Sequence, residues 1–278
     1  MKVALYTSFA LVAFALNSIL CRLALRGDEA DVAGFTAVRL ISGAVVLVVL
    51  QQILNRKKEN TGKGSWPAAI YLFGYAICFS LAYLSLTVAT GALILFGTVQ
   101  LTIVVVSIAR GERPKALELL GLAIALGGLI YLVLPGLAAP PLNSSLLMAV
   151  AGVSWGYYTL RGKGSSDPLG DTTGNFVRTV PFIITVAAVF FLHLHITSRG
   201  VILAILSGAV ASALGYVVWY AVLKHHTATR IAVLQLSVPV IVAVGGVLFM
   251  AEEFTGRLAV AASLILGGIG LTILGKSN

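Results

Sequence analysis

From Gly64 to Ala109, and again from Leu119 to Leu160, the chain carries no charged residue. One bilayer crossing takes about 20 apolar residues. Each run is therefore long enough for two crossings and a turn. "TVATGA" (Thr87–Ala92) and "PGLAAPPLNSS" (Pro135–Ser145) supply small and breaker residues for those turns. With 59% hydrophobic and 10% charged residues, against about 25% charged in soluble domains, the chain cannot cover a surface facing water. It belongs in a bilayer.

The pattern predicts ten helices, at about 3–24, 33–54, 66–87, 91–109, 117–135, 142–161, 173–194, 199–222, 229–250 and 257–275. Lys2 before an apolar run imitates a signal peptide. The further spans that follow at once make it a first transmembrane helix instead. Cys21 and Cys78 lie in apolar runs, where a thiol packs as a small hydrophobe. They form neither a disulfide framework nor a metal site, and no metal or cofactor is expected. A net charge of +9 could suit nucleic acid, but the basic residues are scattered among loops. No nucleic-acid partner is expected.

Sliding the chain against itself by half its length aligns Arg22 with Arg161, Val38-Arg39 with Val177-Arg178, and Val99 with Val238. With one added residue, Glu112 falls on Glu252 and Gly127-Gly128 on Gly267-Gly268. The constant spacing indicates a tandem duplication, 1–137 and 138–278. Five crossings per copy is an odd number, so the second copy enters from the opposite side. The expected fold is an all-α membrane protein of ten transmembrane helices in two inverted five-helix repeats.

Thirteen of the 19 lysines and arginines fall on the amino-terminal side of these spans, and four (Arg22, Arg26, Arg199 and Arg257) on the other. The excess marks the cytoplasmic side, so both termini are expected there, in a cell (inner, cytoplasmic) membrane. The remaining two, Arg39 and Arg178, lie inside helices. Each either snorkels to its nearer interface or pairs with a helix end, or else gates the path or holds a substrate carboxylate. All ten acids fall in loops or at helix ends. An interior devoid of carboxylates disfavours acid-driven proton antiport and ion-paired binding of a permanent cation.

The candidate cavity residues are Asn17, Tyr75, Tyr83, Gln100, Trp155, Tyr158, Tyr216, Trp219, Gln235 and Ser237. Trp155 and Tyr158 are three apart and share a helix face. Tyr75, Trp155, Tyr158 and Tyr216 either line a cavity or pack. Tyr71, Trp219 and Tyr220 lie near helix ends, where an interfacial aromatic belt accounts for them. Asn17, Gln100, Gln235 and Ser237 either hydrogen-bond between helices or wet a solute path. Pro239 removes one backbone hydrogen bond within its span and is a candidate hinge. Gly245-Gly246 admits a neighbouring helix. The pairs Gly127-Gly128 and Gly267-Gly268 serve close packing or a homodimer through the fifth and tenth helices. His193, His195, His225 and His226 fall at membrane edges, as solvated tips.

"AYLSLTVATGALILFGTVQLTIVVVSIARGERP" (Ala82–Pro114) resembles the segment shared by EamA-domain members of the drug/metabolite transporter superfamily. The second copy, "YAVLKHHTATRIAVLQLSVPVIVAVGGVLFMAEEF" (Tyr220–Phe254), is similar and keeps the central proline. "SWGYY" (Ser154–Tyr158) resembles the Trp-Gly element of a repeat's first helix. The first copy departs from the pattern, with Gln100 where proline is usual and "ALNS" (Ala15–Ser18) in place of Trp-Gly. The resemblance implies a ten-helix carrier whose central cavity is lined by the first four helices of each half, with the fifth and tenth at the periphery. The YddG-type amino acid exporters are the nearest comparison.

The expected function is secondary transport by alternating access, as an exporter of a small metabolite, an amino acid or similar zwitterionic or neutral amphipathic solute. The rival is a carrier of aromatic or quaternary ammonium cations held in an aromatic cage. A sugar-phosphate carrier would want more interior cations. An intramembrane enzyme acting on lipid is the alternative from another class, but no paired interior carboxylates, Ser/His/Asp set or Cys/His cluster supports one.

Overall fold

The computed structural model describes residues 2–54, 63–109, 111, 115–134, 139–163, 165–223, 234–235 and 237–277. These residues are helical throughout, apart from short connections and one isolated bridge between Ala30 and Ile196. In chain order the helices are α1 (Lys2–Arg26), α2 (Val32–Leu54), α3 (Trp66–Tyr83), α4 (Val88–Ala109), α5 (Ala116–Val133), α6 (Leu142–Gly162) and α7 (Pro168–Val189). A 3-10 turn, Phe191–His193, leads to α8. That helix begins as Ser198–Ile205, widens into a π-helical segment, Leu206–Leu214, and continues as Gly215–Leu223. Two more follow, α9 (Ser237–Met250) and α10 (Gly256–Ser277).

Seven of these, α1–α5, α7 and α8, are long and apolar enough to cross a membrane, while α9 and α10 are shorter apolar helices. Helix α6 is long but more polar, with Ser144, Ser145, Ser154, Thr159 and Arg161 along it.

Most helix starts are capped as their sequences ask. The side chains of Asp31, Ser65, Thr87, Asp167, Thr197 and Thr255 each accept from the backbone N–H three residues on, which satisfies a donor the helix leaves orphaned. Thr87 corrects one expected boundary. The turn placed at Thr87–Ala92 lies earlier, between Tyr83 and Val88, because Thr87 caps α4 and "VATGA" becomes its first turn. Likewise Asp167 caps α7 (Pro168–Val189), which starts and ends five residues before its expected limits.

The helices pack across the two halves. Helix α6 lies against α3 and α4, and α1 against α8 and α9. Helix α2 lies against α7, and α5 against α10. The first helix of each half thus packs on the third and fourth of the other. Small residues set the distances. A Cβ at Gly208 would stand 2.0 Å from the Arg39 carbonyl oxygen, and one at Gly152 would stand 2.8 Å from that of Leu95. In the α5–α10 pair, Gly121, Gly128 and Gly268 face the partner helix, whereas Gly127 and Gly267 have open space. Gly245 and Gly246 of α9 admit Ile19 of α1 and Val88 of α4, as their sequence suggested.

Candidate functional site

Arg39 lies about 10 Å along α2 from its start, at 1.5 Å per residue, and is 1% exposed. It does not snorkel. Its Nε donates to Ser212 Oγ of α8 (3.2 Å), and its Nη2 donates to the hydroxyls of Tyr75 (3.4 Å) and Tyr216 (3.3 Å). The guanidinium also sits over the rings of Tyr75 and Phe79, 5.3 and 5.2 Å from their centroids. No carboxylate pairs with it among the described residues, and its Nη1 is buried without a hydrogen-bond partner. Hydroxyl acceptors and ring faces replace part of the hydration that a buried cation loses.

Asn17 joins the same cluster from α1. Its Nδ2 donates to the Tyr75 hydroxyl (3.0 Å), and its Oδ1 accepts from Ser207 (2.6 Å) and Ser212 (3.5 Å). Ser207 and Ser212 are five apart. In a regular α-helix they would point about 140° apart. The π-helical segment, with its i→i+5 bonding, brings them onto one face and one acceptor.

Aromatic rings close the cluster on its other side. Trp155 packs against Phe14 (5.7 Å), Tyr75 (4.9 Å), Tyr158 (5.4 Å) and Tyr216 (4.6 Å). Between them is a small cavity lined by Phe14, Asn17, Ser18, Tyr75, Leu95, Phe96, Trp155 and Tyr216, with ≈ 10 Å³ open to a water-sized molecule. That is about the room for one water, so a larger guest enters only when the rings part.

A larger vestibule of ≈ 550 Å³ opens towards the α2–α3 and α6–α7 connections. Tyr71 and Tyr157 stack on its wall (5.2 Å), and Arg161, Asp171 and Asn175 give it a polar lining. Tyr158 and Tyr220 separate it from the cavity. Their rings stack at 5.7 Å, and the Tyr220 hydroxyl donates to the Tyr158 carbonyl (3.1 Å).

The opposite end is clasped shut. Arg22 of α1 pairs with Glu252 (3.3 Å) and donates to the carbonyls of Tyr83 and Leu84. Glu252 also accepts from the Val88 N–H (2.8 Å). Beside this clasp, Asp31 and Glu29 of the α1–α2 connection hold His195, Thr197 and Arg199.

The structure therefore gathers Asn17, Tyr75, Trp155, Tyr158, Tyr216 and Arg39, and leaves the other candidates elsewhere. Trp219 is buried against Phe14 (5.4 Å), and Tyr220 against Tyr158, so neither belongs to an interfacial belt as their helix-end positions suggested. Tyr83 is buried towards the clasp, donating to the Val88 carbonyl. Gln100 donates to Gln235 (3.0 Å), a contact between α4 and the segment before α9, and Ser237 bonds the nearby Leu234 carbonyl. Arg178 donates to the Lys63 and Gly174 carbonyls and lies over Trp66 (5.9 Å), pairing with backbone at the vestibule end. Pro239 borders an apolar cleft between α4, α9 and α10. The bend expected there rests on a span of which 229–233 and 236 lie outside the described residues, as do Glu112, His225 and His226 and the side chain of His193.

Sequence reasoning missed Phe14, Ser18, Leu95 and Phe96 as lining, Phe79 as a cation–π partner and Ser207 as a network member. All but the serines are apolar residues in apolar spans, with nothing local to mark them.

Residues 1–134 and 142–274 each match the sequence profile of the EamA-like transporter family. The chain belongs to the EamA-like transporter family. An uncharacterized protein of Pseudomonas aeruginosa is 47% identical over 269 residues, covering 97% of this chain and 93% of that protein. A crystal structure of a protein 20% identical to this chain superposes with a TM-score of 0.66, covering 97% and 98% of the two chains. At that identity the likeness concerns the fold. This EamA-like protein is thus a multi-pass membrane protein of the drug/metabolite transporter superfamily, and its central cluster lies where its two matched segments meet.

Proposed function

We propose that the protein moves a small metabolite, an amino acid or a similar zwitterionic or neutral amphipathic solute, out of the cell by alternating access. The observation that carries this reading is the cavity between the halves. It sets the polar tips of Asn17, Ser18, Tyr75 and Tyr216 among apolar and aromatic side chains, has a vestibule on one side, and is clasped on the other. Ten crossings as an inverted repeat belong to the same reading. It is supported by the reversed direction of the halves. Helix α1 runs towards the clasp, whereas α6 runs away from it alongside α4, with Gly152 beside Leu95 and Gly156 beside Thr102. Both termini then share the vestibule side, which the lysine and arginine excess assigns to the cytoplasm of a bacterial inner membrane. A second copy against α5 and α10 is part of the proposal, with Gly127 and Gly267 supplying the small-residue face.

The rival, a quaternary ammonium carrier, finds rings in the cluster but also a cation among them. Arg39 already occupies the faces of Tyr75 and Phe79. Counterflow in proteoliposomes with labelled amino acids, quaternary amines and sugar phosphates tests the reading. Exchange of amino acids, and of no other class, is expected. Exchange of quaternary amines alone would select the rival.

A further inference from the structure

We infer that Arg39, Tyr75 and Tyr216 form a receptor for a carboxylate, and that the site does not read the amine of its solute; this rests on the carrier reading above. Arg39 has five N–H donors. Three distinct bonds leave from Nε and Nη2, and both donors of Nη1 are buried without a partner. The Tyr75 oxygen accepts from Asn17 and from Arg39, which fills both lone pairs and leaves only its own O–H to give. The Tyr216 oxygen accepts from Arg39 and keeps its O–H too. The two phenols lie close enough to hydrogen-bond each other. Where one donates to the other, an O–H still remains for a guest. Both phenols line the cavity.

The acceptors are few and uncharged. Asn17 Oδ1 takes Ser207 and Ser212, and Ser18, which gives its hydroxyl proton to Tyr83, keeps only a neutral oxygen for a guest. No Asp or Glu stands in the cluster to meet an ammonium group. The two phenols therefore offer hydroxyl protons to the cavity, with the charge of Arg39 directly behind them, and their counterpart is an anionic acceptor. Charge-assisted bonds of this kind are about twice as strong as neutral ones. The other half, Phe14, Leu95, Phe96 and Trp155, suits an apolar tail. A carboxylate on a hydrophobic body fits both halves. An α-amino group gains nothing there.

The test uses the full chain in mild detergent and three probes of one shape: phenylalanine, 3-phenylpropionate and phenylalaninamide. Binding is read as quenching of tryptophan fluorescence, and each probe is also tried as a competitor in counterflow, with sodium chloride as a control for any small anion. 3-Phenylpropionate is expected to bind at least as tightly as phenylalanine, whose ammonium finds no partner, and the amide about tenfold more weakly than phenylalanine, the loss of one charged hydrogen-bonded contact. Tyr216→Phe should weaken both acids more than it weakens the amide, which loses only a neutral bond. Arg39→Gln should abolish the preference for acids, with its melting curve showing that it folds. An amide that binds as well as the acids overturns the inference and leaves the carrier reading intact. So does 3-phenylpropionate failing where phenylalanine binds, or chloride displacing both acids at equal concentration. If no solute of any class exchanges in counterflow, the carrier reading falls and the inference falls with it.

Discussion

Arg22 and Glu252, 230 residues apart in sequence, meet at 3.3 Å with side chains 10% and 6% exposed. Neither is free to be lost alone. Glu252 also holds the Val88 N–H, and Arg22 also holds the Tyr83 and Leu84 carbonyls, so the pair joins α1 and the α9–α10 connection to the α3–α4 turn. Glu252→Ala would leave a buried guanidinium unpaired, at a cost of about 3–5 kcal/mol. Arg22→Met with Glu252→Leu should recover most of it. Thermal unfolding of the single and double variants in detergent measures the coupling. Additive losses would mean that the pair contributes nothing as a pair.

Gly208 and Gly127 should answer oppositely to one methyl group. At Gly208 the new Cβ meets the Arg39 backbone at 2.0 Å, and Gly208→Ala should destabilise by about 1–3 kcal/mol as α2 and α8 are forced apart. At Gly127 nothing lies within 4 Å. In the monomeric fraction alanine there should be neutral, or stabilise by about 0.5–1 kcal/mol through helix propensity, whereas in the proposed dimer it should weaken the contact between copies. The same melting assay checks both.

Access to the interior should be one-sided. A cysteine at Ala68, on the vestibule wall, is expected to react readily with a polar maleimide. One at Phe14, behind Tyr158 and Tyr220, should react slowly, and faster once Tyr158→Ala removes the stacked ring. Equal rates at both positions in the parent protein would mean that the tyrosines do not close the path.

Direction through the membrane is testable with the native Cys21 and Cys78 replaced by alanine. Cysteines at Asp28 and Ser198 should label from one face of intact cells, and those at Lys63 and Ser165 only after permeabilisation. Asp28 and Lys63 reporting the same face would break the proposed threading.

Much of this fold could be read from residue order because apolar length is a direct physical requirement of hydrocarbon. The spans around α1, α2 and α6 begin and end within two residues of expectation. Boundaries failed where a cap outweighed the apolar pattern, as at Thr87 and Asp167. The site was legible by type and not by partner. Asn17, Tyr75, Trp155, Tyr158 and Tyr216 stood out as polar tips in apolar runs, and they do meet. Gln100 and Gln235 looked equally suited, yet they bond to each other. Arg22 read as a loop cation, since nothing near it announces Glu252. The stretch "LSGAVASAL" gives no local sign that it winds as a π-helix, and the groups that bond its serines, Asn17 and Arg39, stand on other helices.

That widened winding has a mechanical consequence. A π segment holds a surplus residue of slack, and letting it tighten to ordinary α pitch turns everything beyond it by about 100°, the angle of one residue. The passengers on that screw are Tyr216, Trp219 and Tyr220. A single rewinding of α8 would pull one hydroxyl away from Arg39 and unstack the ring from Tyr158 in the same stroke. Unlocking the anchor and lifting the lid would then be a single event.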